Sequence, residues 1–142
     1  MSVTRIPPQL RTGENLLYLS STAWAPVGGV ITYDYRQGPV FFHTGTPTAS
    51  WTADFTNIPT TYLSSQAQAQ NNFNGFVVEV KIAASIGATA YYPSAVRIGG
   101  AAQTLALQGT TVTINKLNVW TFNLFYVSGS WVKVALKNVE AL

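Results

Sequence analysis

The sequence predicts an all-β protein: a single jelly-roll-like β-sandwich domain with an extended N-terminal arm. Apolar and polar residues alternate with period two in several segments, and Gly, Pro or Asn separates these segments at short intervals. Such alternation is typical of strands with one buried and one wet face. No segment shows the apolar periodicity of a helix longer than two turns. We predict the arm over residues 1–29 and the sandwich over residues 30–142.

The clearest strand patterns lie at 49–56, 76–82 and 120–136. In the first, Trp51 and Phe55 share one predicted face with Ala49 and Ala53, while polar residues form the other. Turns at Ser128-Gly129 and Gly99-Gly100 each predict a β-hairpin. Weaker patterns predict strands at 30–35, 40–43 and 111–114, and residues 60–75 are predicted to be a loop with at most one helical turn. Three tryptophans are expected in the core: Trp51, Trp120 and Trp131.

The predicted arm differs in composition from the rest of the chain. It contains Pro7-Pro8, which favours an extended conformation and cannot donate to a β-ladder, and it has no long periodic pattern. Its embedded apolar residues indicate that it docks on a partner, and the run 16–19 fits either a strand or an apolar anchor. The residues predicted to make this assembly contact are Ile6, Pro7, Pro8, Leu10, Leu16, Leu17, Tyr18, Leu19 and Trp24.

Charge is scarce in this chain. Charged residues make up 9% of the sequence, against about 25% in an ordinary soluble domain. A small domain with so little charge tends to associate. The net charge of +3 comes from scattered bases, so nucleic-acid binding is not expected. Cysteine is absent, no apolar run is long enough for a transmembrane helix, and the N-terminus lacks a signal-peptide pattern.

Catalytic patterns are weak, and we expect a protein that is not an enzyme and uses no metal or cofactor. His43 is the only histidine, so a histidine pair for a metal does not exist. Ser50, His43 and Asp54 supply the residue types of a catalytic triad, but no G-x-S-x-G elbow surrounds any serine. Asp34 and Asp54 are the remaining carboxylate pair for a glycan-cleaving site, and both are more typical of wet strand faces.

Tyr91 and Tyr92 are the best candidates for a surface contact. They stand directly before Pro93 in a stretch rich in Gly, Ala and Ser. Exposed tyrosines of this kind stack on sugar rings or make protein interfaces. Ordinary strand packing is the competing interpretation.

Several segments together resemble a β-sandwich domain of bacteriophage virion proteins. The segment 88–107, with Tyr91-Tyr92-Pro93 and Gly99-Gly100, is similar to part of that domain, as are 120–124, the hairpin around Ser128–Trp131 and the opening strand 51–61. The resemblance covers roughly residues 46–137. Such domains are frequent in phages of cyanobacteria and in marine phages, often in tail-fibre proteins. Here Leu107–Val112 replaces the usual Trp-x-Gly-Gly-x-x-Pro stretch, and no repeats are present to build a fibre shaft.

The resemblance implies a non-enzymatic virion structural protein, assembled in the host cytoplasm. Together with the arm, it favours a capsid decoration (cement) or tail-associated subunit that contacts other phage structural proteins. A homo-oligomer is expected, with a trimer favoured, and membrane insertion is not. The alternative is a tail-fibre or tail-tip module that recognises a host-surface glycan through Tyr91, Tyr92 and the loop at 60–75.

Overall fold

Ten strands in two packed sheets form the protein in a computed structural model, which describes residues 19–60, 75–107 and 112–141, without the side chains of 107 and 137–140. This confirms the predicted all-β sandwich. The strands are β1 (Leu19–Thr22), β2 (Val30–Asp34), β3 (Val40–His43), β4 (Trp51–Thr56), β5 (Gly75–Ser85), β6 (Pro93–Ile98), β7 (Ala101–Gln103), β8 (Leu105–Leu107), β9 (Leu117–Val127) and β10 (Ser130–Ala141).

The first six strands alternate between the two sheets. The six-stranded sheet has the order β1-β3-β5-β9-β10-β8 and the four-stranded sheet the order β2-β4-β6-β7. Neighbours among β1, β3 and β5, and among β2, β4 and β6, pair in parallel. A jelly roll pairs its strands antiparallel. The connectivity differs because connections such as 23–29 and 35–39 cross to the opposite sheet instead of turning back within one.

Both predicted hairpins are present. Gly99 and Gly100 have φ of 58° and 83° and join β6 to its antiparallel partner β7. Ser128 and Gly129, with φ of 50° and 84°, join β9 to β10 in the same way. Positive φ at both central residues matches the right-handed twist of the flanking strands. This explains glycine at 99, 100 and 129, while Ser128 adopts the same conformation as a non-glycine residue.

The core lies between the sheets and is rich in aromatic rings. Trp51, Ala53 and Phe55 face inward from β4 as predicted, and Trp120 is fully buried on β9. Trp51 and Trp120 meet edge to face across the two sheets, with ring centroids 5.8 Å apart. Trp131 is only partly buried, because it packs at the border of the core with Phe76 and Tyr126.

The described part of the predicted arm belongs to the sandwich. Leu19–Thr22 form an edge strand that pairs in parallel with β3, and Trp24 packs edge to face on Trp51 with ring centroids 6.2 Å apart. Within the described residues the sandwich therefore begins at Leu19, earlier than the boundary at 29/30 that composition indicates. The other predicted arm contacts, from Ile6 to Tyr18, lie outside the described residues, as does most of the predicted 60–75 loop.

Residues 112–116 form a turn where the sequence predicts a strand over 111–114. The buried Asn118 is the physical reason. Its side chain accepts a hydrogen bond from Thr113 N and donates to Thr113 O and Lys116 O. These backbone groups therefore bond to an amide side chain instead of a neighbouring strand.

Candidate functional site

One end of the sandwich, which we call the loop end, gathers the connections after β1, β3 and β5. Because these strands are parallel, their C-terminal ends lie at the same edge, and residues 23–29, 44–50 and 86–92 meet there. The segment carrying Tyr91 and Tyr92 lies beside the start of β4: Tyr92 N donates to Ser50 Oγ (3.3 Å) and Trp51 N donates to Tyr92 O (3.3 Å).

Tyr92 is the more accessible of the two tyrosines. Its side chain is 38% exposed, while Tyr91 is partly buried. Thr48, Ser50 and Thr89 are exposed in the same loops. Tyr92 thus offers an exposed ring in a residue that contacts the Ser50 hydroxyl, and a ring of this kind can stack on a sugar.

A buried polar network lies beneath the loop end. Trp51 Nε1 donates to Tyr33 Oη over 2.9 Å, and Tyr33 Oη lies 2.6 Å from His43 Nε2. Since the Tyr33 oxygen accepts from Trp51, the arrangement that satisfies all three groups has Tyr33 O–H donating to a neutral imidazole. His43 Nδ1 makes no hydrogen bond of good geometry, although the backbone of Thr22 and Ala23 lies close enough to favour the charged ring.

Burial dominates the electrostatics of this network. It lowers the pKa of His43 despite the opposing backbone groups, and it raises the pKa of Tyr33 far above its usual value despite the hydrogen bond from Trp51. Both side chains are therefore neutral near pH 7. His43 is 2% exposed, so its imidazole is not presented to a substrate in solvent. In the structure it is a buried side chain in hydrogen-bond contact with Tyr33.

Asp34 and Asp54 lie on adjacent parallel strands but make separate structural bonds. Asp34 caps a single 3₁₀ turn at Tyr35–Gln37 and forms a salt bridge of 2.7 Å with Arg36. The hydrogen bond from Arg36 holds the pKa of the Asp34 carboxyl well below its usual range. Asp54 Oδ1 instead accepts from Gly100 N over 3.0 Å, in the turn between β6 and β7.

Replacing Asp54 by alanine is expected to destabilise the fold by about 1–2 kcal/mol, because Gly100 N loses a charged acceptor in the β6–β7 turn. Asp54→Asn, which keeps a side-chain oxygen, should lose less. Equilibrium denaturation of the two variants checks this. Equal stability of Asp54→Ala and the unsubstituted protein would contradict a capping role.

The outward side of the six-stranded sheet is a feature that sequence reasoning missed. Its residues include Val77 on β5 and Phe125 on β9, next to the inward Val78 and Leu124. A signal was present in the runs Phe76-Val77-Val78 and Leu124-Phe125-Tyr126-Val127, which are apolar at both phases of the alternation. Strands covered on both faces produce such continuous runs.

In the part of the chain that the structure describes, no group of three or more His, Cys, Asp or Glu side chains is placed to hold a metal ion. Over the same residues, no helix has the length and apolar character needed to cross a membrane. No family model, curated protein or solved structure matches this chain.

Proposed function

We propose that the chain is a non-enzymatic structural protein of a bacteriophage virion. It docks on the particle as a capsid decoration or tail-associated subunit, working as a homo-oligomer. The segment that docks is residues 1–18, a narrower range than the predicted arm, since residues 19–29 are part of the sandwich. The resemblance of residues 46–137 to phage virion domains supports this assignment.

The observation that carries the docking proposal is the open edge of β1. Among the described residues, β1 pairs with β3 on one side, and its other edge has no strand beside it. Leu19, at the start of this strand, is 59% exposed. An open edge offers backbone donors and acceptors to another chain. The apolar residues of 1–18 directly precede this edge, so a neighbouring subunit can contact both.

Low charge supports a role within an assembly. Charged residues make up 9% of the whole chain. Electrostatic repulsion between two copies, or between a copy and a lattice of other subunits, is therefore weak. Two ion pairs are found among the described residues, Arg36–Asp34 and Lys81–Glu79. Both are local, two residues apart along the chain.

Deletion of residues 1–18 tests the docking proposal. The truncated protein is expected to keep the sandwich, because β1 and Trp24 remain, but to be absent from purified particles. Incorporation is measured by complementing a phage that lacks the gene and quantifying the chain in gradient-purified virions. Far-ultraviolet circular dichroism of the truncated protein checks that it is folded.

Point variants give a matched comparison for the deletion. Leu16→Ala and Leu17→Ala together should reduce incorporation, while Thr12→Ala and Asn15→Ala together should not. Normal incorporation of the folded truncated protein would contradict docking through this segment.

The exposed ring of Tyr92 beside Ser50 favours a second candidate, a module that recognises a host-surface glycan. Its affinity for single sugars is expected to be in the millimolar range. Binding to a glycan array that is lost in Tyr92→Ala, and retained in Val27→Ala, would favour this function. Val27 is also exposed at the loop end but has no ring to stack.

A further inference from the structure

The outward side of the six-stranded sheet, which we call the outer face, carries two apolar rows. Phe42, Ala83 and Val119 lie in register on β3, β5 and β9 nearer the loop end. Val77 and Phe125 lie in register at the opposite end of β5 and β9. Their chain neighbours, such as Phe41, Val78, Trp120 and Leu124, point into the core. Successive side chains on a strand alternate, so the two rows point away from the sandwich.

A polar band separates the two rows. It contains Glu79 and Lys81 on β5, with Asn123 and Thr121 as their partners on β9. The Lys81 Nζ and Glu79 Oε1 atoms are 4.0 Å apart. Lys133 is a further described charge on this face, in register with Phe125. The outer face is therefore apolar at both ends, with one acid and one base side by side in the middle.

At the end of the outer face that carries Val77 and Phe125, apolar residues are highly exposed to water. Val77 is 51% exposed and Val127, on the same end of β9, is 40% exposed. Contiguous exposed apolar surface on a sheet marks an interaction site, since monomeric proteins rarely leave it open. The two charged residues of the polar band, Glu79 and Lys81, indicate which partner covers this surface.

We propose that the outer face binds a second copy of this chain, sheet against sheet. Glu79 and Lys81 make the face complementary to itself: a two-fold axis across the strands at the level of Val80 places Glu79 of each copy opposite Lys81 of the other. The same axis places the row of Phe42 and Val119 against the row of Val77 and Phe125. A two-fold interface uses the same patch on both subunits, as this arrangement does.

The packing follows ordinary rules for stacked sheets. Two sheets pack face to face at about 10 Å with side chains interdigitating. Ala83 is 5% exposed within one copy, so the half-buried Phe42 and Val119 beside it make the contact at this end. Lys133 is an exposed residue of β10. In the proposed interface we expect its ammonium group to reach solvent at the rim. This inference concerns the isolated protein and does not depend on the virion function.

Sedimentation velocity of the full chain across the micromolar range tests the proposal. The unsubstituted protein should sediment as a dimer or a larger even-numbered assembly. Val77→Lys should raise the dissociation constant by at least about tenfold, because each interface would bury two unpaired ammonium groups. Val27→Lys is the matched control, since Val27 is 83% exposed in the loop between β1 and β2, away from the outer face.

A charge exchange makes the test specific for the two-fold arrangement. Glu79→Lys and Lys81→Glu should each weaken association when alone, because like charges then face each other. Mixing the two variants should restore it as a heterodimer, with lysines on one copy facing glutamates on the other. A monomer at all concentrations, equal effects of Val77→Lys and Val27→Lys, or no recovery on mixing would each overturn the proposal.

Discussion

Replacing Trp51 by alanine is expected to lower the free energy of unfolding by about 4–5 kcal/mol, at the upper end of the range for large aromatic residues in a core. The indole meets the rings of Trp24, His43 and Trp120 edge to face, at 6.2, 5.7 and 5.8 Å. It thereby joins the segment after β1 to both sheets. Its Nε1 also donates to Tyr33 Oη, so the substitution removes packing and a buried hydrogen bond together.

Chemical denaturation measures this effect, and two further variants separate its parts. Trp51→Phe keeps an aromatic ring but removes the donor, and should lose about 1–2 kcal/mol. Trp131→Ala, at the border of the core, should lose less than Trp51→Ala although it deletes the same side chain. A free energy of unfolding for Trp51→Ala close to that of Trp131→Ala would contradict the central position of Trp51.

Acidification from pH 7 to pH 5 is expected to destabilise the protein through His43. Burial lowers the pKa of His43 in the fold below its unfolded value, which is about 6.5. The unfolded chain therefore binds a proton first as the pH falls. The stability associated with the neutral ring is complete above about pH 7 and is lost below about pH 6.5, with a slope of at most ~1.4 kcal/mol per pH unit.

The hydrogen-bond arrangement explains why protonation is unfavourable. A charged imidazole carries a proton on Nε2 and can no longer accept from Tyr33 O–H. Tyr33 is itself buried and its oxygen already accepts from Trp51, so its hydroxyl proton would lose its acceptor. Protonation of His43 therefore leaves the buried Tyr33 hydroxyl proton without its acceptor, while the bond from Trp51 can persist.

Since His43 is the only histidine, its contribution can be measured without other histidines interfering. Urea denaturation at pH 7, 6 and 5 should show falling stability for the unsubstituted protein. His43→Gln, which keeps a neutral acceptor, should give nearly constant stability over this range. The same pH slope in both proteins would contradict the assignment to His43.

Faces and turns of the strands could be predicted from the sequence, because each leaves a local signal. The alternation at 51–56 placed Trp51, Ala53 and Phe55 inward, and the Gly99-Gly100 and Ser128-Gly129 turns are where the pattern indicated. These inferences need only a few neighbouring residues.

The choice of strand partners could not be predicted in the same way. The alternation of apolar and polar residues along a strand assigns its side chains to faces. It does not indicate whether the next strand pairs with the preceding one or crosses to the other sheet. The Tyr33–His43–Trp51 network is equally hidden, since these residues come from three strands in two sheets. Trp24 was assigned to an interface because composition set 1–29 apart, and its contact with Trp51 depends on the crossing of 23–29.

The stoichiometry of the chain in purified particles is the measurement that tests the proposed function most directly. Quantitative mass spectrometry of gradient-purified virions should find it in a fixed ratio to the major capsid protein or to a tail protein. Hundreds of copies would assign it to the capsid, and a small fixed number to the tail. A chain that is abundant in infected cells but absent from purified particles would contradict a virion structural role.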